Sequence, residues 1–412
     1  MSTVAPGGVA EEQAPAPQAP ERERVSAGAV LRRLGQGELG SLRVLIVLAI
    51  VWAIFAVANS NFLTAVNLTN LALQIAAVGT ISIGVVFVLL LGEIDLSVGA
   101  VSGLASAAMA VLSVKHGYNG YAAIAAALAV GAAIGLFQGT IVTWLAIPSF
   151  VVTLAGLLAW QGAQLKVLGE TGTVNITDPA ITNLANTFLA DWLGWTVALV
   201  AIAAIALTAL NERRLRAAAG LDVTPTPVIV VRVAAPALAI VAAVWVVSQD
   251  RGVPVSLVVL VGLCAVFDYV VRRTRYGRHV LAVGGNEEAA RRAGIPTARV
   301  KTIVFVLAST LAAAGGVLAA SRLLAVNQSS GGSDLLLLAI AGPVIAGVSL
   351  FGGRGSVWGA LLGALVIGSI SNGMDLLGLE SSVKYMVTGG VLLFAVVIDA
   401  LGRKQRATRG RA

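Results

Sequence analysis

Two acidic side chains, Glu93 and Asp95, interrupt a region with no charge from Val44 to Gly92 and none from Leu96 to Val114. In the run Gly92-Glu93-Ile94-Asp95-Leu96-Ser97-Val98-Gly99, Asp95 is placed to cap a helix beginning near Leu96. Gly92 and Gly99 permit a tight break and close packing there. Carboxylates deep in an apolar region default to a functional reading, whereas at its edge the capping role suffices. Neither a metal site nor a catalytic role follows from the pair.

The segment Arg272 to Lys301 holds eight basic residues and, at its centre, the capping residues of one short helix of about two turns. Asn286 is a suitable N-cap, Glu287 and Glu288 set negative charge on the first turn, and Arg291 and Arg292 set positive charge on the last. Gly294 then ends it, with Pro296 just beyond. Such a helix is either an ordinary solvated element or a docking piece for a partner.

A third group is neutral: Asn70, Gln74, Gln138, Thr143, Trp160, Gln161, Gln164, Asn327 and Asn372 carry amides, a hydroxyl and an indole within apolar runs. They suit a passage for an uncharged, hydrogen-bonding solute, and equally suit polar contacts that tie helices together. No G-x-x-x-x-G-K-[ST] run occurs, so the chain lacks the loop that cradles nucleotide phosphates. The lone cysteine, Cys264, cannot form an intrachain disulfide and reads as a small buried hydrophobe.

The elements that must position these groups are dictated by composition. The chain is 58% hydrophobic and only 12% charged, so its solvent is a bilayer. Candidate helices fall near 41–58, 67–91, 95–114, 120–145, 149–168, 192–210, 228–248, 254–271, 302–320, 335–350, 356–374 and 382–400. The expectation is an all-α, polytopic integral membrane protein of about 10–12 transmembrane helices. Residues 1–40, with Pro6, Pro15, Pro17 and Pro20, read as a disordered cytoplasmic tail, residues 41–400 as the membrane domain, and residues 401–412 as a basic cytoplasmic tail.

Threading the spans alternately from a cytoplasmic N-terminus puts 22 of the 28 basic residues at cytoplasmic segments. Lys115, Lys166, Arg251, Arg322 and Lys384 are left outside and Arg232 within a span. Both termini are therefore expected in the cytoplasm, and the net charge of +8 reports topology, not a nucleic-acid partner. Asp268 and Asp399 then fall near cytoplasmic ends and Asp375 near an outer end, which is not the pattern of a proton relay.

Gly355, Gly359 and Gly363, with Ala360, Ala364 and Gly368 alongside, form small-residue stripes that let helices approach closely. Ser97-Val98-Gly99-Ala100 echoes Ser356-Val357-Trp358-Gly359-Ala360, which hints at two weakly related halves.

The run Tyr276-Gly277-Arg278-His279-Val280-Leu281-Ala282-Val283-Gly284-Gly285-Asn286-Glu287-Glu288-Ala289-Ala290-Arg291-Arg292-Ala293-Gly294-Ile295 resembles the cytoplasmic coupling segment of monosaccharide ABC-importer permeases. The resemblance implies that it seats in a groove of an ATPase subunit. Gly285, Asn286, Glu287, Glu288, Ala289, Ala290, Arg291 and Gly294 would then transmit nucleotide-driven closure. Gly92 to Gly99 resembles the signature turn of ribose-type and xylose-type permeases, which assigns Gly92, Glu93, Asp95, Ser97 and Gly99 to it. Ser371-Asn372-Gly373-Met374-Asp375-Leu376-Leu377-Gly378 is similar to the matching stretch of xylose-type members, and the likeness runs from Asn67 to Ala400. The departure is an additional apolar stretch between Asn211 and Arg251, which favours the longer, xylose-type subgroup.

By that resemblance the chain is a multi-pass permease of a bacterial cell membrane, pairing with a second copy, an ABC ATPase subunit and an extracytoplasmic sugar-binding protein. It holds no cofactor of its own, ATP and Mg being used by the ATPase, and performs no bond chemistry. Its solute would be xylose or another pentose, met by Asn70, Gln74, Gln138, Trp160, Gln161, Asn327 and Asn372. The competing expectations are an ion-coupled secondary transporter, an ABC permease for a different small solute, and a membrane scaffold that binds a cytoplasmic partner.

Overall fold

A computed structural model describes residues 39–409 apart from Asp222 and Thr224. Residues 1–38 of the expected N-terminal tail and residues 410–412 lie outside the described part. Long apolar runs with few or no charges fold as helices, even across Pro236 and Pro343, since backbone polar groups in a bilayer must be satisfied within the segment. In order they are α1 (Leu39–Ala58), α2 (Ala65–Leu90), α3 (Val98–Val114), α4 (Gly120–Trp144) and α5 (Ser149–Leu168). Next come β1 (Thr173–Asn175), α6 (Pro179–Asn186), α7 (Asp191–Ala218), α8 (Thr226–Val247) and α9 (Val255–Arg273). The basic segment contributes α10 (Arg275–Gly285) and α11 (Glu287–Arg292). The chain closes with α12 (Thr297–Leu323), β2 (Ala325–Asn327), α13 (Ser333–Ile345), α14 (Trp358–Leu376) and α15 (Ser381–Arg409).

Among the described residues, 8 helices are long and apolar enough to cross a membrane, and three shorter apolar stretches, Val44–Ala58, Val98–Val114 and Ser333–Ile345, accompany them. Two expected spans are therefore corrected. The 95–114 element starts at Val98, and the 335–350 element stops at Ile345 because Gly347 turns with φ 87°. Neither reaches the ~20 residues a full crossing needs. The stretch after Asn211 forms the end of α7 and then α8, which pack on each other. Arg232, expected inside a span, lies on the second turn of α8 and reaches Glu212 Oε2 at 3.4 Å. Its long side chain carries the charge toward the helix end. At the C-terminus α15 continues to Arg409, so the basic residues expected as a tail prolong a helix.

Hydrophobicity all round a helix marks a central position. α2 meets that description and is buried over nearly its whole length, packed by α12, α14, α9 and α13. α12 in turn packs on α4 and α3. By contrast α7 and α8 leave Leu199, Leu207, Leu238 and Trp245 uncovered by protein, the surface expected to meet lipid.

The expected small-residue stripe is a close helix contact. A Cβ on Gly359 would come within 3.0 Å of Val348 Cγ2, whereas one on Gly363 would overlap the Gly342 backbone of α13. Gly368 faces α2 instead, where a Cβ would meet Ile75 Cγ2 at 2.6 Å.

The two echoing runs sit in two comparable hairpins, α2–α3 and α13–α14, whose turns touch. Gly353 N–H donates to Leu90 O at 2.9 Å, and a Cβ on Gly352 would lie 2.8 Å from Gly92 N. Gly92 and Gly352 have φ of 76° and 82°, a region only glycine enters without strain. At the opposite end of α2, β1 and β2 pair antiparallel with Val174 opposite Val326, a small sheet the all-α reading did not anticipate.

Candidate functional site

Three basic or glycine-rich segments converge on the end of α2 at Leu90. α10 opens with Thr274, whose Oγ1 accepts from Gly277 N at 3.1 Å, and Gly277 lies against the backbone of Val270 and Val271 too closely for any side chain. This helix was not expected, although a threonine three residues before a glycine is a readable N-cap signal. Gly284, in its last turn, lies directly on Leu90 O, which leaves no room for a Cβ.

Asn286 then turns the chain. Its N–H donates to Ala282 O at 3.1 Å, closing α10, while its Oδ1 accepts from Ala289 N at 2.9 Å, opening α11. α11 ends where Ile295 N–H reaches back to Ala290 O at 3.1 Å and Gly294 N–H to Arg291 O at 3.0 Å, with Gly294 at φ 82°. That pattern needs a left-handed residue, which is the reason for glycine there. The helix is 6 residues long, the expected length of about two turns.

Ala290 is buried while Glu287, Glu288, Ala289, Arg291 and Arg292 are exposed, so α11 is seated by one face and free on the other. Glu288 pairs with Arg291 and, at 3.1 Å, with Arg292, bracing the exposed face. Gly285 stands free of close neighbours beside Gly353.

Lys301, on the first turns of α12, joins this helix to the acidic turn. Its Nζ lies 2.7 Å from Glu287 Oε2 and 2.7 Å from Glu93 Oε1, with only 13% of the lysine side chain exposed. An ionic path therefore links α11 to the α2–α3 turn. Sequence reasoning passed over Lys301 because a basic residue ending a basic run looks like one more topology charge.

Asp95 is corrected. It does not cap a helix at Leu96; its Oδ1 accepts from Ser97 N at 2.8 Å and Ser97 Oγ at 2.7 Å, and the helix starts at Val98. Gln138 Nε2 donates to Ser97 Oγ at 3.0 Å, drawing α4 to the same turn. Burial raises the Asp95 carboxyl above its ordinary value, opposed by its two bonds to Ser97. Asp95 Oδ2 and the nearby Trp160 Nε1 are buried without a partner.

At the other end of the bundle a cavity of about 230 Å³ opens between α2, α3, α12 and the segment leading into α13. Gln74, Ser102, Ser106, Arg322, Ser330 and Asp334 give it its polar lining. The 328–332 segment is non-helical and packs so tightly on α3 that a Cβ on Gly99 would lie 2.8 Å from Gly331 O. Of the neutral residues named from sequence, Gln74 lines this space. Gln164 holds its wall, donating from Nε2 to Asn327 O at 3.0 Å and Ser330 O at 2.9 Å. Asn327 Oδ1 accepts from Ser329 N at 2.9 Å in the same loop.

The other neutral candidates lie elsewhere. Asn70 Oδ1 accepts from Arg251 Nη2 at 3.0 Å, Asn372 exchanges amide bonds with Asn67, and Thr143 Oγ1 sits 3.2 Å from Thr302 Oγ1. Trp160 packs edge-on against Phe137, and Gln161 is half-buried away from the cavity. Ser102 and Ser106 were missed, although their four-residue spacing on one helix face was legible; Arg322 and Asp334 were hidden by their charge.

Residues 67–396 match the family described as branched-chain amino acid transport system / permease component. The chain is 36% identical over 362 residues to the xylose transport system permease protein XylH of Haemophilus influenzae, covering 88% of this chain and 96% of that one. It is 34% identical to the XylH protein of Escherichia coli K12, covering 89% of this chain and 93% of that one. The ribose import permease protein RbsC of Escherichia coli K12 is 32% identical, covering 86% and 92%. No solved structure matches the chain.

Proposed function

The chain belongs to the family of branched-chain amino acid transport system permease components, and from that membership we propose that it is the membrane-spanning subunit of a binding-protein-dependent ABC importer for a pentose. The long relatives named for xylose transport support xylose or a near relative as the solute. The protein is a multi-pass subunit of a bacterial inner membrane, and its work is transport without bond chemistry. The basic end of the bundle, carrying α10 and α11, faces the cytoplasm together with both termini.

A separate ATPase subunit, using ATP and Mg, seats on the exposed face of α11. An extracytoplasmic sugar-binding protein delivers solute at the opposite end, and a second permease copy completes the assembly. Closure of the ATPase pair biases the permease between outward-open and inward-open states, which requires that α11 bind the motor differently in the two.

The observation that carries this reading is the Lys301 bridge. An exposed helix anchored at 2.7 Å to the turn of the central hairpin is arranged to move that hairpin when pushed. The test is tracer uptake of xylose, ribose and arabinose in a strain lacking its own pentose importers, supplied with this permease, its ATPase and its binding protein. Uptake of a pentose that requires ATP supports the reading. Glu288→Lys and Gly294→Pro leave the protein inserted but uncouple hydrolysis from uptake; unimpaired uptake by Gly294→Pro overturns the assignment of α11.

A further inference from the structure

We propose that the cavity bounded by α2, α3, α12 and the 328–334 segment is the transit site of the solute, holding a neutral polyhydroxylated ring of pentose size through Gln74, Arg322 and Asp334. The proposal rests on the importer reading and adds to it a place and a recognition chemistry.

Polar side chains inside this bundle differ in what they do. Gln138, Gln164, Asn67 and Asn372 all have partners and hold helices or loops together. Gln74, Arg322 and Asp334 line the cavity, and among the described residues their side chains make no hydrogen bond or ion pair, although Asp375 acts on Arg322 through space. Polar groups within a bilayer are costly and are kept where they face a partner or water. Arg322 and Asp334 also sit at helix ends whose dipoles favour their charges, and all three line one cavity with hydrogen-bonding capacity open to a ligand.

Their chemistry selects the ligand. A sugar hydroxyl both donates and accepts; Gln74 offers both functions, the Arg322 guanidinium only donates, and the Asp334 carboxylate only accepts. The two charges are of opposite sign, so a neutral solute meets balanced charge, whereas an ionic one leaves one protein charge opposed by a like charge. Ser102 and Ser106 donate to Gly99 O and Gly103 O at 2.7 and 2.9 Å, keeping hydroxyl lone pairs for weak contacts.

The backbone supports the same conclusion. Non-helical chain at membrane depth is tolerated where it is buried in protein or lines a water-filled space, and transporters place solute at such helix breaks. Residues 328–332 are such a break, beside apolar α3. Gln74 lies 16 residues before Leu90 on α2, which at ~1.5 Å per residue is about 24 Å from the basic end. Solute there would lie well away from the basic end.

The test uses the full chain reconstituted in vesicles with its ATPase and binding protein. Gln74→Leu and Asp334→Asn are each expected to lower pentose uptake by roughly tenfold, the effect of about 1.4 kcal/mol in the rate-limiting state, and to shift the ratio of xylose to ribose uptake. Thr196→Val, on α7 and away from the cavity, is expected to leave both unchanged. A merely structural role would lower assembly, followed by size-exclusion chromatography, without moving the sugar ratio.

Wild-type rates and an unchanged ratio in both variants, with pentose import intact, overturn the site and leave the importer reading standing. Absence of ATP-driven uptake of every pentose by the wild-type assembly overturns the importer reading and the site with it. Independently of any folding defect, Ser329→Cys labelled by a water-soluble maleimide is expected to react more slowly in millimolar xylose; equal rates with and without sugar also overturn the site.

Discussion

Lys301 holds Glu93 at 2.7 Å, an ion pair that crosses from the base of α12 to the turn between α2 and α3. Both side chains are largely shielded, with 13% and 17% exposed, whereas Glu287 on the other side of the lysine is half exposed. The Glu93 arm is therefore the stronger one, because water screens the Glu287 arm.

Lys301→Met removes both arms and leaves Glu93 without its cation. Charged hydrogen bonds of this kind contribute about 1.5–3 kcal/mol, so a lowered thermal midpoint in nanodiscs is expected. Uptake is expected to fall while ATP hydrolysis by the assembled complex persists. Glu287→Gln should have the smaller effect on stability; equal losses for Glu287→Gln and Glu93→Gln would contradict the ranking by exposure.

Asp95 gives a pH dependence whose sign follows from its burial. Its folded pKa is raised from 3.8, so the neutral carboxyl is the form the fold prefers. Its contribution is fully present below the unfolded value and is lost as pH rises through the raised folded one. Asp95→Asn keeps an oxygen for Ser97 N and carries no charge. The variant is expected to match the wild type in acid and to be at least as stable near neutrality, as read from thermal midpoints across pH. A neutral-pH loss in Asp95→Asn as large as in Asp95→Ala would show that the ionised form is the one the turn needs.

The glycines of α14 should differ in tolerance. Gly363→Ala places a methyl group on the Gly342 backbone, which cannot move aside, and overpacking of this kind costs about 1–3 kcal/mol. Gly359→Ala presses only on Val348 Cγ2 at 3.0 Å, a side chain that can shift by a few tenths of an ångström, and meets Ala346 Cβ at an ordinary 3.4 Å. Thermal unfolding in detergent should rank Gly363→Ala well below Gly359→Ala, and Gly359→Leu below Gly359→Ala.

Asn372 separates helix contact from solute contact. Its amide donates to Asn67 Oδ1 at 3.0 Å and accepts from Asn67 Nδ2 at 2.8 Å, joining α14 to α2. Such pairs contribute about 0.6–2 kcal/mol in membranes. Asn372→Ala is expected to lower the thermal midpoint without altering the ratio of xylose to ribose uptake. A changed ratio would place Asn372 in the solute's path.

Local order was legible wherever one chemical preference decided it. Asn286, Gly294 and the charges between them specified α11 because caps and dipoles act within a single turn. Charge-free runs specified the long spans because the bilayer admits little else. The errors fell where neighbours decide: α3 came out short because Asp95 and Ser97 bond within the 92–97 turn instead of capping a helix at Leu96, and α13 because Gly347 turns the chain at φ 87°. α10 was overlooked because its polar residues are mixed with glycines that only contact with α9 and α2 explains.

Sequence alone determined that this chain is a helical membrane protein, where its positive charge gathers, and that a small capped helix stands in the largest basic segment. Those properties depend on transfer between water and lipid and on neighbours within a turn. Tertiary structure decided which polar groups face the cavity and which are spent on holding helices, since an amide in an apolar run looks the same in either role. It also decided that Lys301 reaches Glu93. An ion pair between residues so distant in sequence exists only after α2 and α12 have packed, and no local preference records it.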